Sequence, residues 1–572
     1  MRNEEVAGAL LEISRLLELD GEDAFRIRAY RKAAENVAAL EGDINEYYRE
    51  GRLRDIPGVG PTISGVIAEL LEGGKSGLHE ALKEDFPPEL QEVLEVPGIG
   101  RRTALKIYEA LGTRTVDDFR RAARSHRIRQ VRGLGERTER RVLDAIERHR
   151  RLRGEALILL SKARALAADL MGYFEGCPGL ERADVAGSVR RWKPQVADVN
   201  LIAAAGDPEG AIGCFCGIPL ISSVRGRGRG RARAATRYRV EATLEAVGAD
   251  DYGLKLLYAT GSARHLEDLA RYAEARGVRL SPEGYYEKGE RKKFPTEECL
   301  YGALGLEYIP PELREGSDEV AAASVGGLPE LVRADDIRGD MHVHTIWSDG
   351  KASIQEMAMA ARARGLEYIA ICDHSGSLRI ANGLSIERLR DQMAAIDEIN
   401  DTLEGFTVLK GCEADILADG SLDLPKDVLG DLDVVVGSVH TSLRQGEDLM
   451  TRRVITALEN EHLTVLGHPT NRLLGSRPPL ELDLDRAIEA AARHRKALEV
   501  NSSPARLDLG GEGVRLAMEH GAMICINTDA HTPEELCHLE YGVHTARRGW
   551  ATKARTLNAL SYDALAEFLA RR

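Results

Sequence analysis

The chain has 572 residues, 43% of them hydrophobic, and a net charge of −14. At roughly 100–200 residues per domain this predicts three to five domains, and the hydrophobic content excludes a largely disordered chain. No apolar run approaches the ~20 residues of a membrane helix, and the acidic N-terminus is typical of neither a signal nor a transit peptide. Eight scattered cysteines without a CxxC pair favour a reducing cytoplasm.

Charge is distributed unevenly along the chain. Residues 101–155 hold 17 Lys/Arg against 8 Asp/Glu, and residues 225–239 hold seven arginines. A solvated charged face is the simplest interpretation of such counts. Two basic zones inside an acidic chain nevertheless favour surfaces that face phosphate.

Residues 1–150 predict helices joined by tight glycine turns. One pattern, apolar-x-Gly-apolar-Gly before an amphipathic helix, occurs three times. Glycine permits a tight turn close to a ligand, and the first N–H groups of the next helix can bind phosphate. A single copy would fit an ordinary helix–turn–helix equally well, but three copies resemble the helix-hairpin-helix DNA-binding motif. The predicted DNA-binding residues are Gly58, Gly60, Gly98, Gly100, Gly133 and Gly135.

Residues 155–310 mix helical stretches with strand-like runs. Here Gly-Ser-Val-Arg-Arg, from Gly187, precedes Asp-Val-Asn on a predicted strand, from Asp198. Alternate residues of a strand share a face and can hold a pair of divalent ions for phosphoryl transfer. The sequence resembles the family X DNA polymerase signature, GS-x-RR followed by D-x-D, and the segment from Phe294 resembles the thumb of that family. The resemblance implies a catalytic triad of Asp198, Asn200 and Glu241, and nucleotide-binding residues Gly187, Ser188, Arg190, Thr260, Gly261 and Ser262.

Two departures from this family pattern bear on activity. Asn200 replaces the second aspartate and Glu241 the third, so the site loses a charge and its third carboxylate is longer. Displacements of about 1 Å can cost ~100-fold in rate, which predicts a weak or lost polymerase activity. Family members with 5′-deoxyribose-phosphate lyase activity carry a lysine where Val66 stands, and Thr62 replaces another family lysine. Valine has no amine to form a Schiff base.

After residue 338 short apolar runs alternate with helical segments, which predicts a parallel α/β barrel or sheet. Eleven of the 15 histidines lie at or after His342, so imidazole chemistry is concentrated in this part. Histidines and acids follow successive apolar runs, and in a barrel those strand ends converge on one face. A single histidine after a strand is usually structural, but nine such residues in order resemble the PHP phosphoesterase pattern. They are His342, His344, Asp349, His374, Glu413, His440, His468, Asp529 and His531.

The PHP resemblance implies a centre of up to three metals. One metal would take His342, His344, Glu413 and Asp529, a second Glu413, His440 and His468, and a third Asp349, His374 and His531. Mixed imidazole and carboxylate ligands suit Zn²⁺, Mn²⁺ or Fe, whereas the polymerase site would use Mg²⁺ or Mn²⁺. Five other histidines lie in helical or surface contexts and are predicted not to bind metal: His462, His494, His520, His538 and His544.

The whole chain is similar to the prokaryotic family X polymerases that end in a PHP domain. We expect a helix-hairpin-helix N-terminal region, an α+β polymerase β-like palm and thumb, and a C-terminal α/β PHP barrel. The expected boundaries are 1–90 for the N-terminal helical domain with the first hairpin, 91–153 for the fingers-like hairpins, 154–255 for the palm, 256–315 for the thumb, 316–338 for a linker and 339–572 for the PHP domain.

The expected function is DNA repair: gap-directed synthesis, weak or lost, with metal-dependent 3′→5′ exonuclease or phosphoesterase action on DNA ends. Gapped or primer–template DNA and dNTPs are the expected partners of a cytoplasmic monomer that contacts no membrane. Two alternatives stay open. The PHP domain could hydrolyse a small phosphoester, as histidinol phosphatase does, or the N-terminal half could be a DNA-binding adaptor without polymerase activity.

Overall fold

The structure is a computed structural model that describes residues 3–20, 23–38, 40, 43–85, 93, 96, 98–113, 116–124, 127–153, 157–174 and 176–570. The chain divides into two compact units, Met1–Ala156 and Leu157–Arg572. The boundaries expected after residues 90 and 153 adjoin segments outside the described residues, and Pro97 of the second glycine turn also lies outside them.

The first unit is helical in its described part. Its helices are α1 (Asn3–Asp20), α2 (Ala24–Ala38), α3 (Ile44–Arg49), α4 (Pro61–Gly73), α5 (Gly77–Asp85), α6 (Arg101–Leu111), α7 (Val116–Arg124) and α8 (Glu136–Arg153). Apolar residues of α1–α5 form one buried core. Those of α6–α8 form a second, which joins the second and third glycine turns into one tandem. Helices of this length depend on such buried faces for stability.

The second unit begins with a five-stranded mixed sheet, the palm. Its strands are β2 (Leu180–Ala186), β4 (Asp198–Ala205), β5 (Ile221–Gly228), β6 (Arg231–Thr236) and β7 (Glu241–Val247). A separate antiparallel pair is formed by β1 (Ile158–Leu159) and β3 (Gln195–Val196). The helices of the palm are α9 (Leu160–Phe174), α10 (Gly187–Arg190) and α11 (Pro208–Cys216). The sheet order is β2-β4-β7-β6-β5, and β4 and β7 are parallel. One face is buried under α9 and α11, while β5 forms an edge.

The thumb follows the palm as helices around a small antiparallel sheet. Its elements are α12 (Tyr252–Thr260), α13 (Ala263–Glu274), β8 (Val278–Ser281), β9 (Gly284–Glu287), β10 (Glu290–Lys292) and α14 (Glu297–Ala303). The segment 316–338, expected to be a linker, contains α15 (Glu319–Ser324) and packs on its neighbours. Buried Glu319 lies 2.8 Å from Nδ1 of His265, and the Val332 N–H donates to the Ala551 carbonyl at 2.9 Å. The segment had no clear periodicity because its order comes from these tertiary contacts.

The C-terminal part is a near-closed barrel of seven parallel strands in sequential order. The strands are β11 (Gly339–Val343), β12 (Tyr368–Ile371), β13 (Thr407–Asp415), β14 (Val434–Ser438), β15 (Val465–Leu466), β16 (Ala497–Asn501) and β17 (Met523–Asn527). Around them lie α16 (Ile354–Ala363), α17 (Ile386–Asn400), α18 (Lys426–Gly430), α19 (Glu447–Leu458), α20 (Leu484–Arg493), α21 (Gly511–Glu519), α22 (Leu539–Arg548) and α23 (Tyr562–Ala570).

The barrel is closed near one rim by backbone hydrogen bonds between its first and last strands. The Asp529 N–H donates to the His342 carbonyl at 3.0 Å, and the His344 N–H donates to the Ala530 carbonyl at 2.9 Å. The expected combination of helical region, palm, thumb and α/β barrel is confirmed. No helix in the described ranges is both long and apolar enough to cross a lipid bilayer.

Candidate metal centre and nucleic-acid interface

The predicted metal ligands lie at the carboxyl ends of the barrel strands. His342 belongs to β11 and Glu413 to β13, and the others follow β11, β12, β14, β15 and β17. Parallel strands bring their carboxyl ends to one rim, so residues almost 190 positions apart in sequence become neighbours. Most of these side chains are buried, whereas Asp349 and His531 are about one-third exposed and mark the opening of the site.

Three groups of possible ligand atoms form at this rim. Within each group the ligand atoms lie within 4.8 Å of one another. The groups are His344, Asp349, His374 and His531; His342, His344 and Asp529; and His374, Glu413 and His440. His468 joins through its Nε2, 3.0 Å from Oε1 of Glu413. All nine predicted residues therefore meet in one cluster, although His344 and His374 each belong to two groups.

Glu413 lies at the centre of the cluster. Its Oε2 is 2.8 Å from Nδ1 of His374 and 3.5 Å from Nε2 of His342, and its Oε1 is 3.4 Å from Nε2 of His440. Nε2 of His344 lies 3.1 Å from Oδ1 of Asp529 on the other side. One buried carboxylate can therefore bridge neighbouring cations.

Neighbouring charges in the cluster shift the pKa values of His342 and Glu413 toward their charged forms. Burial lowers the pKa of an imidazole, but the carboxylates of Glu499 and Glu413 outweigh this and raise the pKa of His342 well above its usual value. Burial by itself would raise the pKa of Glu413, yet the surrounding imidazoles, His440 and His342 foremost, hold it well below the usual value. The bridging carboxylate is thus kept ionised, which is the form that binds a cation.

Two acids that the sequence analysis did not identify orient these histidines from behind. Oε1 of Glu499 lies 2.7 Å from Nδ1 of His342, and its Oε2 accepts from the His468 N–H at 2.7 Å. Oδ1 of Asp415 lies 2.6 Å from Nδ1 of His440. A carboxylate on one ring nitrogen fixes the ring and increases the basicity of the other. For Asp415 the available signal was position, since it lies two residues after the predicted ligand Glu413 on β13; Glu499, in the middle of β16, had no such signal.

The donors present fit divalent metal ions. Imidazole nitrogens and carboxylate oxygens suit Zn²⁺, Mn²⁺ and Fe. Among the described side chains, the buried Nδ1 atoms of His344 and His468 have no hydrogen-bond partner. Buried polar atoms without partners cost about 1–3 kcal/mol each. Nδ1 of His344 lies 3.8 Å from Oδ1 of Asp349, so a cation between these two atoms would offset its cost, whereas His468 faces the cluster with its other nitrogen, Nε2. The five histidines predicted not to bind metal lie outside the three groups.

The predicted polymerase triad lies on one face of the palm sheet. Asp198 on β4 pairs in register with Glu241 on β7, and Asn200 pairs with Thr243. Glu241 is engaged by a residue that the sequence analysis did not single out, Arg233 on β6. Its Nε and Nη2 donate to the two carboxylate oxygens at 2.9 and 2.8 Å. Both oxygens of the third acid are therefore already paired with a cation of the chain.

The predicted nucleotide-binding turns contact each other beside this face. Gly187 has a left-handed φ of +65°, and a Cβ added there would lie 2.8 Å from Nδ2 of Asn200. Nη1 of Arg190 donates to Oγ1 of Thr260 at 2.8 Å, and Gly261 packs against Arg191. The Gly-Ser turn, the Asp-Val-Asn strand and the Thr-Gly-Ser turn are thus brought together.

The three glycine turns of the first unit share one geometry. The first glycine of each, at 58, 98 and 133, has a φ between +82° and +100°, a region that disfavours other residues. The second glycine, at 60, 100 and 135, has no atom within 4 Å of an added Cβ, so its backbone is open to a close ligand. Val66 is buried on α4.

Models of known families match four parts of the chain. They are a helix-hairpin-helix domain at residues 1–76, a SAM-like helix-hairpin-helix tandem at 90–148, a DNA polymerase beta thumb at 255–315 and a PHP domain at 340–503. A "DNA polymerase/3′-5′ exonuclease PolX" of Bacillus subtilis is 36% identical over 580 residues and covers all of both chains.

Shorter relatives match about a third of the chain. Probable phosphatases of a Thermoanaerobacter species and of Caldanaerobacter subterraneus are 29% identical over 231 residues and 32% over 203 residues. These matches cover 38% and 34% of this chain and 89% and 75% of the relatives.

Hairpins, palm, thumb and PHP barrel on one chain define an enzyme of the DNA polymerase β class with an added metal-dependent hydrolase domain. The chain belongs to the PolX family, the family X DNA polymerases that carry a C-terminal PHP domain.

Proposed function

We propose that this protein is a DNA repair enzyme that hydrolyses nucleotides from DNA 3′ ends in its PHP domain. The observation that carries the proposal is the convergence of nine His, Asp and Glu side chains around Glu413 at one barrel rim. The side chains of Asp349 and His531, each about one-third exposed, would give a DNA end access to this cluster. The open glycine turns at 60, 100 and 135 would hold the DNA backbone without reading its sequence.

The proposed ligand sets are those that the resemblance implies, with Mn²⁺ or Zn²⁺ in up to three positions. Bound divalent ions would polarise the phosphoryl oxygens and stabilise the charge of the transition state. The chain's own contribution is orientation. Glu499 holds His342 with Nε2 toward the cluster, and Asp415 does the same for His440. The central carboxylate of Glu413 stays ionised between imidazoles and positions the neighbouring sites.

For the palm we propose weak gap-directed synthesis with dNTPs and Mg²⁺ or Mn²⁺. Asn200 contributes no charge, and Glu241 shares its charge with Arg233. A two-metal transfer site needs carboxylates to offset its cations, so primer activation should be poor. Arg190, Ser188 and the turn at Thr260 would still bind a nucleotide. The domain boundaries given above, a monomeric state and a cytoplasmic location belong to the same proposal.

A small phosphoester is the second candidate substrate of the PHP domain. It is favoured by the similarity of about a third of the chain to probable phosphatases. The three glycine turns with open backbone favour DNA as the substrate, because an enzyme for a small phosphoester does not need a DNA-binding surface. Comparison of kcat/KM for a small phosphomonoester with that for a DNA end distinguishes the two.

The test uses a gapped duplex labelled next to its 3′ end, with Mn²⁺ or Mg²⁺ and with or without dNTPs. We expect Mn²⁺-dependent shortening of the labelled strand, abolished in the double variant His342→Ala with His344→Ala. Binding of the gapped duplex in EDTA should persist in that variant, because the glycine turns are unchanged.

A matched control removes two histidines outside the cluster, His494→Ala with His520→Ala, and should degrade DNA at the parental rate. Unchanged degradation by the His342/His344 variant would refute the assignment of the nuclease to the PHP domain. Rapid hydrolysis of the small phosphoester with no shortening of DNA would favour the second candidate.

A further inference from the structure

Two exposed isoleucines lie on loops that carry predicted metal ligands. Ile346 is 59% exposed and Ile380 is 96% exposed, the highest value for a large apolar side chain in the described part of the chain. Ile346 follows His344 by two residues, and Ile380 lies in a loop that starts at His374. Isolated exposed apolar residues are common on protein surfaces, whereas an apolar pair at a candidate active site marks a surface for a ligand.

Hydrogen bonds hold the second of these loops on the metal cluster. The Leu384 N–H donates to the carbonyl of His374 at 2.8 Å, so the loop returns to the residue from which it starts. Inside the loop, Oγ of Ser377 donates to Oδ2 of Asp415 at 2.8 Å, and Asp415 is one of the acids that orient the ligands from behind. The loop is therefore fixed to the cluster both at its ends and in its interior.

The same loop is joined to the loop that carries the first isoleucine. Nδ2 of Asn382 donates to the carbonyls of Trp347 and Ser348 at 3.2 Å each. Nη1 of Arg388 donates to the Asn382 carbonyl at 3.1 Å, and its Nη2 donates to the Trp347 carbonyl. The two isoleucines, hereafter the apolar lip, lie within two residues of this junction.

The opposite side of the rim is basic. Arg477 and Arg506 lie in the loops after β15 and β16, and the buried amide oxygen of Asn471 accepts from Nη2 of Arg477 at 2.6 Å and from Nη1 of Arg506 at 3.0 Å. Nε of Arg506 lies 3.7 Å from Oδ2 of Asp529. In the sequential strand order, β15 and β16 stand across the barrel from β11 and β12. The opening therefore has an apolar side and a basic side, with the metal cluster between them.

We infer that the apolar lip contacts the base of the 3′-terminal nucleotide while the phosphate of that nucleotide lies at the metal cluster. This inference deepens the proposed function and rests on it, because it assigns a place to the base of the substrate hydrolysed there. The faces of a nucleobase are apolar enough to pack on isoleucine, and the anionic phosphate suits the cluster and the basic side. The terminal base has one stacking neighbour only, so it leaves the stack at the lowest cost. The lip thus selects nucleotides over phosphoesters that lack a base.

The test compares two single-stranded oligonucleotides that differ only at the 3′ end. One ends in a normal nucleotide, and the other ends in a tetrahydrofuran nucleotide, which has no base. The full-length protein is used with Mn²⁺, and kcat/KM is measured for release of the terminal nucleotide. Contact of a base with about 50 Å² of each isoleucine contributes about eightfold per side chain. We expect the parent to hydrolyse the base-bearing end at least about tenfold faster than the abasic end.

The lip variant is Ile346→Ser with Ile380→Ser. Its kcat/KM for the base-bearing end should fall at least about tenfold, while the abasic end is hydrolysed at nearly the parental rate, because only the contact with the base is lost. Ile346→Leu with Ile380→Leu keeps an apolar lip and should keep the preference for the base. A matched control, Val325→Ser with Met359→Ser, changes two exposed apolar residues away from the rim loops and should behave like the parent.

The outcomes separate this inference from the proposed function. If the parent hydrolyses both ends at the same rate, or if the lip variant keeps the parental preference for the base, the inference fails. It also fails if the lip variant loses activity equally on both ends, or if the control variant loses as much as the lip variant. A parent that shortens neither oligonucleotide would instead refute the proposed function. Equal melting temperatures of parent and variants exclude misfolding.

Discussion

Arg233 forms a bidentate ion pair with Glu241, with Nε 2.9 Å from Oε1 and Nη2 2.8 Å from Oε2. Both partners are partly exposed, so the pair itself adds little stability. Its importance is positional, because it occupies both oxygens of the third predicted catalytic acid. A cation at this site would have to compete with a guanidinium.

Restoring the acids should therefore restore synthesis. We predict that Asn200→Asp with Glu241→Asp, in a background without the His342 and His344 imidazoles, fills gaps much faster than its parent. A charge that stabilises the transition state by several kcal/mol corresponds to about three orders of magnitude at ~1.4 kcal/mol per tenfold. Adding Arg233→Ser should increase the rate further, since the shorter acid is then free. Primer extension on a gapped duplex in Mg²⁺ measures each step.

The control for this series is Arg233→Ser alone, which should give little synthesis because Asn200 still lacks a charge. A parent that already fills gaps at the restored rate would contradict the predicted weakness of the site. Equal rates with and without Arg233 would show that the ion pair does not limit metal binding.

The buried carboxylate behind His342 should matter almost as much as a ligand. Glu499→Gln keeps the size of the side chain but removes the charge that orients and polarises the imidazole at 2.7 Å. We predict a loss of about 10–100-fold in metal affinity or nuclease rate, the usual effect of such outer partners. Titration of DNA hydrolysis with Mn²⁺ measures it. Glu489→Gln, on the exposed face of α20, is the matched control, and parental behaviour of both variants would contradict the prediction.

The sequence did not predict the roles of two side chains, Glu499 beside His342 and Arg233 beside Glu241. Most of the nine candidate ligands could be predicted because they end or closely follow an apolar run, and a barrel brings such strand ends together; Asp349, in the loop after β11, was found from the PHP resemblance. Glu499 could not, because its role depends on β16 standing close to β11 across the nearly closed barrel. Arg233 was visible only as one of seven arginines, since its contact with Glu241 follows from the register of β6 on β7. The glycine turns were predictable because their φ values require glycine.

The open glycines of the first unit provide a third prediction. Gly60→Asp, Gly100→Asp and Gly135→Asp together should place three carboxylates where phosphates would lie, and a Cβ at each position meets no atom within 4 Å. We expect affinity for gapped DNA to fall at least about tenfold, as expected when several phosphate contacts are lost. The control, Gly172→Asp with Gly213→Asp and Gly302→Asp, adds the same charge at exposed helical sites of the second unit. Equal weakening by both sets would count against the glycine turns as a grip.

A fourth prediction concerns the contact between the thumb and helix α22 of the PHP domain. There the carboxylate of Glu312 accepts a hydrogen bond from Nε of Arg547 at 2.7 Å, and it also lies 2.7 Å from Nδ1 of His544. Burial alone would raise the pKa of Glu312, but His544 and Arg547 lower it from 4.5 to about 2. The carboxylate is nearly always ionised when folded and becomes protonated more readily when unfolded. Its stabilisation is therefore complete above about pH 4.5 and disappears as the pH falls toward 2.

Glu312→Gln should remove this pH dependence of stability, because glutamine does not ionise. The lowered pKa corresponds to about 3 kcal/mol of unfolding free energy, an order-of-magnitude figure at ~1.4 kcal/mol per pKa unit. We expect the variant to be less stable than the parent by about this amount at pH 7, and the difference to vanish near pH 2. Urea unfolding of the second unit, followed at pH 2, 3, 4.5 and 7, measures it. A difference in unfolding free energy between parent and variant that stays constant across that range would show that Glu312 contributes through packing alone. Only an ionisable group makes this difference shrink as the pH falls.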